Sequence, residues 1–422
     1  MRDKGMTMKK LQHIIMIALI LLGLVTPALA QEQTDNFNVS AKHAIAIEAT
    51  TGKVLYEKDA TTPDGVASMT KILTAYMVYK AVDQGKITWD TEVDISDYPF
   101  NLTVDSEVSN VPLDSRKYTV KQLLDATLIS SANSAAIALA EKISGSESAF
   151  VDTMTAQLKE WGITDAKLFN ASGLNNKYLG DNRYPGSKPD DENTMSALDV
   201  AIIADHLIKD YPQVLEITKQ TETDFEGDNK LTTHNYMLEG QDNYREGVDG
   251  LKTGTTELAG ASFVAHANEN GMSLITVVMN ADNGGEDEAA RFTATNELLD
   301  YVTQNWKIKT LNTKGQIVKK NDIKVADGDS QTISAKLESD LTVVQKINSK
   351  NDAVKIKAKT ITAPIKKDDT IGTATFDDKD LVGTGYISDP PQISVTANQS
   401  IKKSFFLKVW WNHIVNFFTG NK

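Results

Sequence analysis

Three short groups of residues in this 422-residue chain are spaced for chemistry. Ser68-Met69-Thr70-Lys71 places a hydroxyl and an amine one helical turn apart on one face. Serine is a poor nucleophile unless a base takes its proton. No motif places any of the six histidines for that task, which leaves Lys71 as the base this spacing offers. A lysine serves as a base only if its pKa falls far below the unperturbed value of about 10.4. Burial and a second cation both push it down. Lys252, in Lys252-Thr253-Gly254, is the candidate second cation. In Ser131-Ala132-Asn133, Ser131 can relay a proton to a leaving amine, while Asn133 can orient Lys71 and hydrogen-bond a substrate amide. Lys252 and Thr253 would face a carboxylate, and the backbone N–H groups of Ser68 and Thr255 would form an oxyanion hole. This is acyl transfer through a serine ester, and it requires no metal and no cofactor.

Each group alone is a weak signal. Ser68 could simply cap a helix, Ser131 and Asn133 could be loop residues bonded locally, and Lys252 could be a turn lysine. Ser400-Ile401-Lys402-Lys403 repeats the S-x-x-K pattern with no chemistry around it. The order of the three groups, each in a suitable setting, is what carries the argument.

The elements that must position them read as α+β. His43–Glu48 and Lys53–Glu57 are predicted strands around a Thr50-Thr51-Gly52 turn. Residues 70–82 read as a helix too densely apolar for the surface. Further helices are predicted over 120–128, 135–143, 150–161 and 197–208. Strands over 261–267 and 272–279 precede a helix ending near Trp306. Helices inserted between an N-terminal hairpin and C-terminal strands predict helices packed on an antiparallel sheet. From about 310 to 398 only short alternating runs and turns remain, the pattern of a small all-β sandwich.

The two ends read differently. Arg2, Lys4, Lys9 and Lys10 precede an apolar run from Ile14 to Val25 and a small-x-small sequence ending at Ala30. This predicts a signal peptide over 1–30, cleaved after Ala30, because the run falls short of the roughly 20 residues a bilayer requires. At the other end, Lys408, Asn412 and Asn416 share one narrow helical stripe. Phe406, Leu407, Trp410, Trp411, Ile414, Val415, Phe417 and Phe418 cover most of the rest. Flanked by Lys402, Lys403 and Lys422, residues 402–419 predict an amphipathic helix lying on the outer face of a membrane. The expected divisions are 1–30 signal peptide, 31–308 catalytic domain, 309–398 β domain and 399–422 anchor.

The net charge of −13 is unevenly spread. Residues 31–306 carry 21 basic and 44 acidic side chains, whereas 401–422 carry four lysines and no acid. The acidic body argues against nucleic acid as a partner, since phosphate contacts need clustered Lys and Arg. The absence of cysteine excludes disulfide scaffolds, thiolate metal sites and cysteine nucleophiles. It also suits an exported protein of a bacterium, expected to be Gram-positive, that does not rely on disulfides outside the cell. Asp190-Asp191-Glu192 and Glu286-Asp287-Glu288 read as solvated loops rather than cation sites.

The three motifs resemble the active site of penicillin-recognising serine acyl-transferases. The resemblance extends through Ala44–Lys58, Phe169-Asn-Ala-Ser-Gly-Leu174, Gly247–Thr255 and Ala363–Gly372, so it covers almost the whole chain after residue 30. It points to low-molecular-mass penicillin-binding proteins, D-alanyl-D-alanine carboxypeptidases with a C-terminal β domain and a membrane anchor. The resemblance implies a β-lactamase/transpeptidase-like fold, a peptidoglycan stem peptide as substrate and covalent capture of β-lactam antibiotics. It makes Ser68 the acylated nucleophile, Lys71 the base, and Ser131 and Asn133 the second motif. Lys252, Thr253 and Gly254 then receive the terminal carboxylate, with Thr255 beside them and Arg291 helping to hold it. Ala132 stands where glycine is frequent, and Thr255 where some relatives have histidine. The alternatives are a serine β-lactamase, for which no glutamate lies near residue 167, and a non-catalytic wall-binding protein of the same fold.

Overall fold

The computed structural model describes residues 36–104, 107–318, 322–358 and 361–405. The predicted signal peptide and the anchor residues 406–419 lie outside the described residues. The predicted hairpin forms as β1 (Ala41–Glu48) and β2 (Lys53–Lys58). Late in the chain come β3 (Val248–Thr256), β4 (Gly260–Glu269) and β5 (Met272–Ala281). These five make one antiparallel sheet in the order β2-β1-β5-β4-β3. The order puts β3, which carries Lys252-Thr253-Gly254, at an edge.

Between hairpin and late strands run α1 (Lys71–Asp83), α2 (Asp97–Leu102), α3 (Val120–Leu128), α4 (Asn133–Ser144), α5 (Glu147–Glu160) and α6 (Ala197–Asp210). α1 is the centre of this body: Ile72, Leu73, Ala75, Tyr76, Val78 and Tyr79 are all buried, as its apolar density predicts. α3 starts with a capping box between Thr119 and Gln122, so two backbone donors are satisfied reciprocally at its N-terminus. α7 (Ala290–Asn305) lies on the other face of the sheet. Strand alternation makes this division. Phe263 packs edge-on against Phe292 of α7 at 5.3 Å, while its neighbour Val264 joins the core shared with the helices.

Among the described residues after α7, all regular structure is β. A strand over Trp306–Asn312 pairs with Leu341–Lys346. Trp306 is both the end of α7 and the start of this strand, so the β region begins earlier than residue 309. A four-stranded and a three-stranded sheet enclose a second core that includes Ile333, Leu337, Leu341, Ala374 and Val395. The expected anchor segment from 399 also differs at its start. Ile401 is buried in this core and bridges Ile365, and Lys403 bridges Gly328, so both belong to the β region. Ser400 uses its hydroxyl to accept the Lys367 N–H, a structural role for the stray S-x-x-K. Among the described residues no helix is long and apolar enough to cross a membrane.

Candidate active site

Ser68 lies on a single 3₁₀ turn, Ala67–Thr70, that feeds directly into α1. It caps nothing. Instead its Oγ accepts a 2.7 Å hydrogen bond from Lys71 Nζ, the first residue of α1. Ala67, just before it, has φ +44°, a left-handed conformation that costs a non-glycine residue of order 1–3 kcal/mol and is found where a site over-determines it. Gly254 explains how the edge strand reaches this turn. A β-carbon there would stand 2.7 Å from the Val66 carbonyl oxygen and 3.3 Å from the Ala67 β-carbon. Only glycine lets β3 approach the nucleophile's turn so closely.

Lys71 is fully buried, and its ammonium donors are all used. Besides Ser68 they reach Asn133 Oδ1 and the Ser172 carbonyl, each at 2.7 Å. Asn133 is held in turn by Nδ2 donating to the Ser109 carbonyl at 2.8 Å. Burial, and then the nearby charge of Lys252, hold the Lys71 amine well below the ordinary lysine range. These are the two causes the sequence predicts. The Ser172 carbonyl is a partner that sequence reasoning does not find, because a backbone oxygen leaves no side-chain signature.

Ser131 sits between α3 and α4, buried, with φ +56°. It lines a cavity of about 330 Å³ together with Ser68, His234, Thr253, Thr255 and Arg291. A second cavity of about 200 Å³ also borders Ser68, lined by Asn133, Gly173, Tyr178, Glu192 and Thr256 among others. The structure thus gathers Ser68, Lys71, Ser131, Asn133, Thr253 and Thr255 around one cleft, with Lys252 and Gly254 on the strand that walls it.

Lys252 is buried with Nζ donating to the Thr253 carbonyl at 3.1 Å. Burial, followed by the charge of Arg291, pushes its pKa down to about 7. Arg291, reached in the sequence only through resemblance, is also drawn into the site, but as a brace. Its Nε donates to the Glu288 carbonyl, and Nη1 donates to the carbonyls of Gly254 and Ser262. Nη2 donates to Thr255 Oγ1 at 2.8 Å and to the Glu288 carboxylate at 2.9 Å. A guanidinium has five N–H donors, and five protein acceptors meet them here. A direct bond to a substrate carboxylate therefore requires Arg291 to release one of these partners. Without that, it acts by fixing β3 and by its field.

His234, which no motif places, lines the cleft beside Ser131. Burial, then the charges of Lys252, Lys71 and Arg291, push its pKa down to about 4, against an opposing hydrogen bond with the Ser130 backbone. At neutral pH it therefore stands uncharged beside Lys252, Lys71 and Arg291. No spacing in the sequence could have placed it. Of the acidic segments, Glu286-Asp287-Glu288 is exposed as expected, whereas Asp190-Asp191-Glu192 is not simply solvated. Glu192 is buried, accepting from Asn175 Nδ2 at 2.9 Å and Thr256 Oγ1 at 2.6 Å, and Glu288 pairs with Arg291.

Comparison with known proteins agrees with this geometry. Residues 29–283 match the family model described as D-alanyl-D-alanine carboxypeptidase, and residues 306–403 match that of the penicillin-binding protein 5 C-terminal domain. The D-alanyl-D-alanine carboxypeptidase DacF of Bacillus subtilis is 31% identical over 95% of this chain and 96% of its own. The crystal structure of a peptidoglycan synthesis regulatory factor (PBP3) from Streptococcus pneumoniae is 51% identical, covering 87% of this chain and 100% of that one with a TM-score of 0.79. Penicillin-binding protein D2 of Listeria monocytogenes, in its ampicillin-bound form, is 28% identical over 63% of this chain and 98% of its own, with a TM-score of 0.52. With the S-x-x-K, S-x-N and K-T-G residues converging on one cleft and both family models matching in order, this chain belongs to the D-alanyl-D-alanine carboxypeptidase family of penicillin-binding serine peptidases.

Proposed function

We propose that this D-alanyl-D-alanine carboxypeptidase works through an ester on Ser68, with Lys71 as the base that generates the nucleophile. The single observation supporting this most strongly is the buried Lys71 amine hydrogen-bonded to Ser68 Oγ at 2.7 Å, with its pKa held down by burial and Lys252. In its unprotonated form an amine so placed can accept the hydroxyl proton, and the lowered pKa makes that form more accessible.

The terminal D-Ala–D-Ala of a stem pentapeptide lies along β3, its carboxylate toward Thr253 and the positive field of Lys252 and Arg291. Ser68 attacks the penultimate carbonyl carbon, and its proton passes to Lys71. The carbonyl oxygen takes the charge at the backbone N–H groups of Ser68 and Thr255. The C–N bond breaks as Ser131 passes a proton to the departing D-alanine nitrogen and takes in its place the one Lys71 received, which leaves Lys71 free again. Water then cleaves the ester, and Ser68 recovers its proton. β-Lactams enter by the same attack and remain on Ser68, as the ampicillin-bound Listeria relative suggests. The apolar, lysine-flanked tail 406–419 holds the enzyme on the outer face of the membrane after export.

Labelling with fluorescent penicillin, digestion and peptide sequencing tests the assignment. The adduct is expected on the peptide bearing Ser68 and is lost in Ser68→Ala. An adduct on Ser131, or labelling that survives Ser68→Ala, contradicts it. Liposome flotation of the chain with and without residues 406–422 tests the tail, and equal flotation of both contradicts that part.

A further inference from the structure

One buried acid stands outside this chemistry. Glu147 is the first residue of α5, where an acid normally complements the helix dipole from the surface. Here the side chain turns inward and is only 6% exposed. Its Oε1 accepts the Ala171 N–H at 2.9 Å and its Oε2 accepts the Tyr98 hydroxyl at 2.7 Å.

The segment it touches, residues 169–174, is a loop without regular structure that is almost entirely buried. Such a loop must find side-chain partners for its backbone groups. Asn193 Oδ1 accepts from the N–H groups of Phe169 and Asn170, and Asn170 Oδ1 accepts from those of Ser172 and Gly173. Thr74 donates to the Ala171 carbonyl at 2.6 Å. Glu147 supplies the remaining partner, at the residue immediately before Ser172. The Ser172 carbonyl is in turn one of the three acceptors of Lys71.

We infer that Glu147 is a positioning residue for the catalytic base: by holding the Ala171 N–H it fixes the Ser172 carbonyl, and so the direction and basicity of the Lys71 amine. The inference rests on the assignment of Lys71 as base. Burial pushes the Glu147 carboxyl up to about 7, a cost that a surface acid at a helix start would not bear. Supporting shells of this kind keep a constellation within the narrow geometry that reaction requires.

The test compares Glu147→Gln, Glu147→Asp and Glu147→Ala by the second-order rate of acylation with fluorescent penicillin across pH, normalised to the labelled fraction at completion. Glutamine keeps an acceptor for Ala171 and a partner for Tyr98, so its rate and pH profile stay close to those of the parent. Aspartate is too short to reach Ala171, and alanine has no acceptor. Both should lose about 10–100-fold in rate, the range expected of a misplacement near 1 Å. Their acid limb should also move to lower pH, because losing the carbonyl acceptor disfavours the ammonium form of Lys71. Lys252 and His234, the other titratable groups facing Lys71, are unchanged in all three. If alanine prevents folding, aspartate decides. Parental rate and profile in the aspartate variant overturn the inference, as does equal loss in all variants with no shift of the acid limb. Parental acylation by every variant but none by Ser68→Ala would sink this inference alone. Failure of Lys71→Ala to slow acylation would sink the assignment beneath it.

Discussion

Gly173 and Ala67 are in such close contact that a β-carbon on Gly173 would lie 1.8 Å from the Ala67 carbonyl oxygen. Gly173 also has φ +82°, a conformation that side chains disfavour. The loop that holds Lys71 and the turn that carries Ser68 are thus fitted together through a missing side chain. Gly173→Ala should destabilise the fold by about 3 kcal/mol or more, combining the backbone cost with overpacking. Acylation of the folded fraction should fall at least about tenfold, since the nucleophile's turn must move. Thermal unfolding and penicillin labelling measure both, and a variant close to the parent in each contradicts the contact.

Lys252 depresses the Lys71 amine by its charge. Removing that charge favours the protonated form of Lys71, so its pKa rises and the free base is lost at higher pH. Lys252→Gln should therefore move the acid limb of the acylation profile upward, apart from any general fall in rate. A fall in rate with an unmoved limb would show that the two amines are not coupled.

The same lysine is costly to the fold. Its native pKa of about 7 lies below the ordinary 10.5. Between those values the unfolded chain binds a proton that the folded chain does not, so stability rises with pH across that window. Lys252→Met should stabilise the protein at neutral pH by roughly 1–3 kcal/mol while abolishing activity. The gain should shrink as pH approaches 10. Denaturant unfolding at several pH values checks the sign.

Lys53 ties the hairpin of the main sheet to the C-terminal β region. Fully buried, it pairs with Asp378 at 2.7 Å, donates to the Val344 carbonyl at 2.9 Å and lies over the Trp306 ring. Lys53→Ala leaves the buried Asp378 carboxylate without its countercharge, held by the neutral donors Tyr386 hydroxyl and Asp380 N–H, and should cost about 3–5 kcal/mol. Lys53→Ala with Asp378→Asn should recover part of that loss. Additive effects in the double-mutant cycle would contradict the pairing.

Much of this site was legible because its chemistry sits in contiguous residues. Ser68 and Lys71 are one turn apart, and the apolar density of 70–82 forecast the burial that lowers the Lys71 pKa. Helix 120–128 was bounded correctly because Thr119 and Gln122 form a capping box that ends the uncertainty at its start. What stayed hidden was carried by groups with no pattern. The Ser172 oxygen is backbone, His234 arrives from a loop by tertiary packing, and Glu147 lies before the helix expected over 150–161 although the helix starts with it. Arg291 could be named by resemblance, but its five bonded donors follow only from the meeting of α7 with β3 and β4. Trp306 blurred the start of the β region because one residue both ends a helix and opens a strand.

The central claim is that Ser68 opens the D-Ala–D-Ala bond of peptidoglycan stems. Mass spectrometry of purified pentapeptide muropeptides after incubation with the protein tests it most directly. The account predicts loss of one terminal alanine, with tetrapeptide as product, and no change with Ser68→Ala. Intact pentapeptide in the presence of enzyme that turns over penicillin rapidly would contradict it.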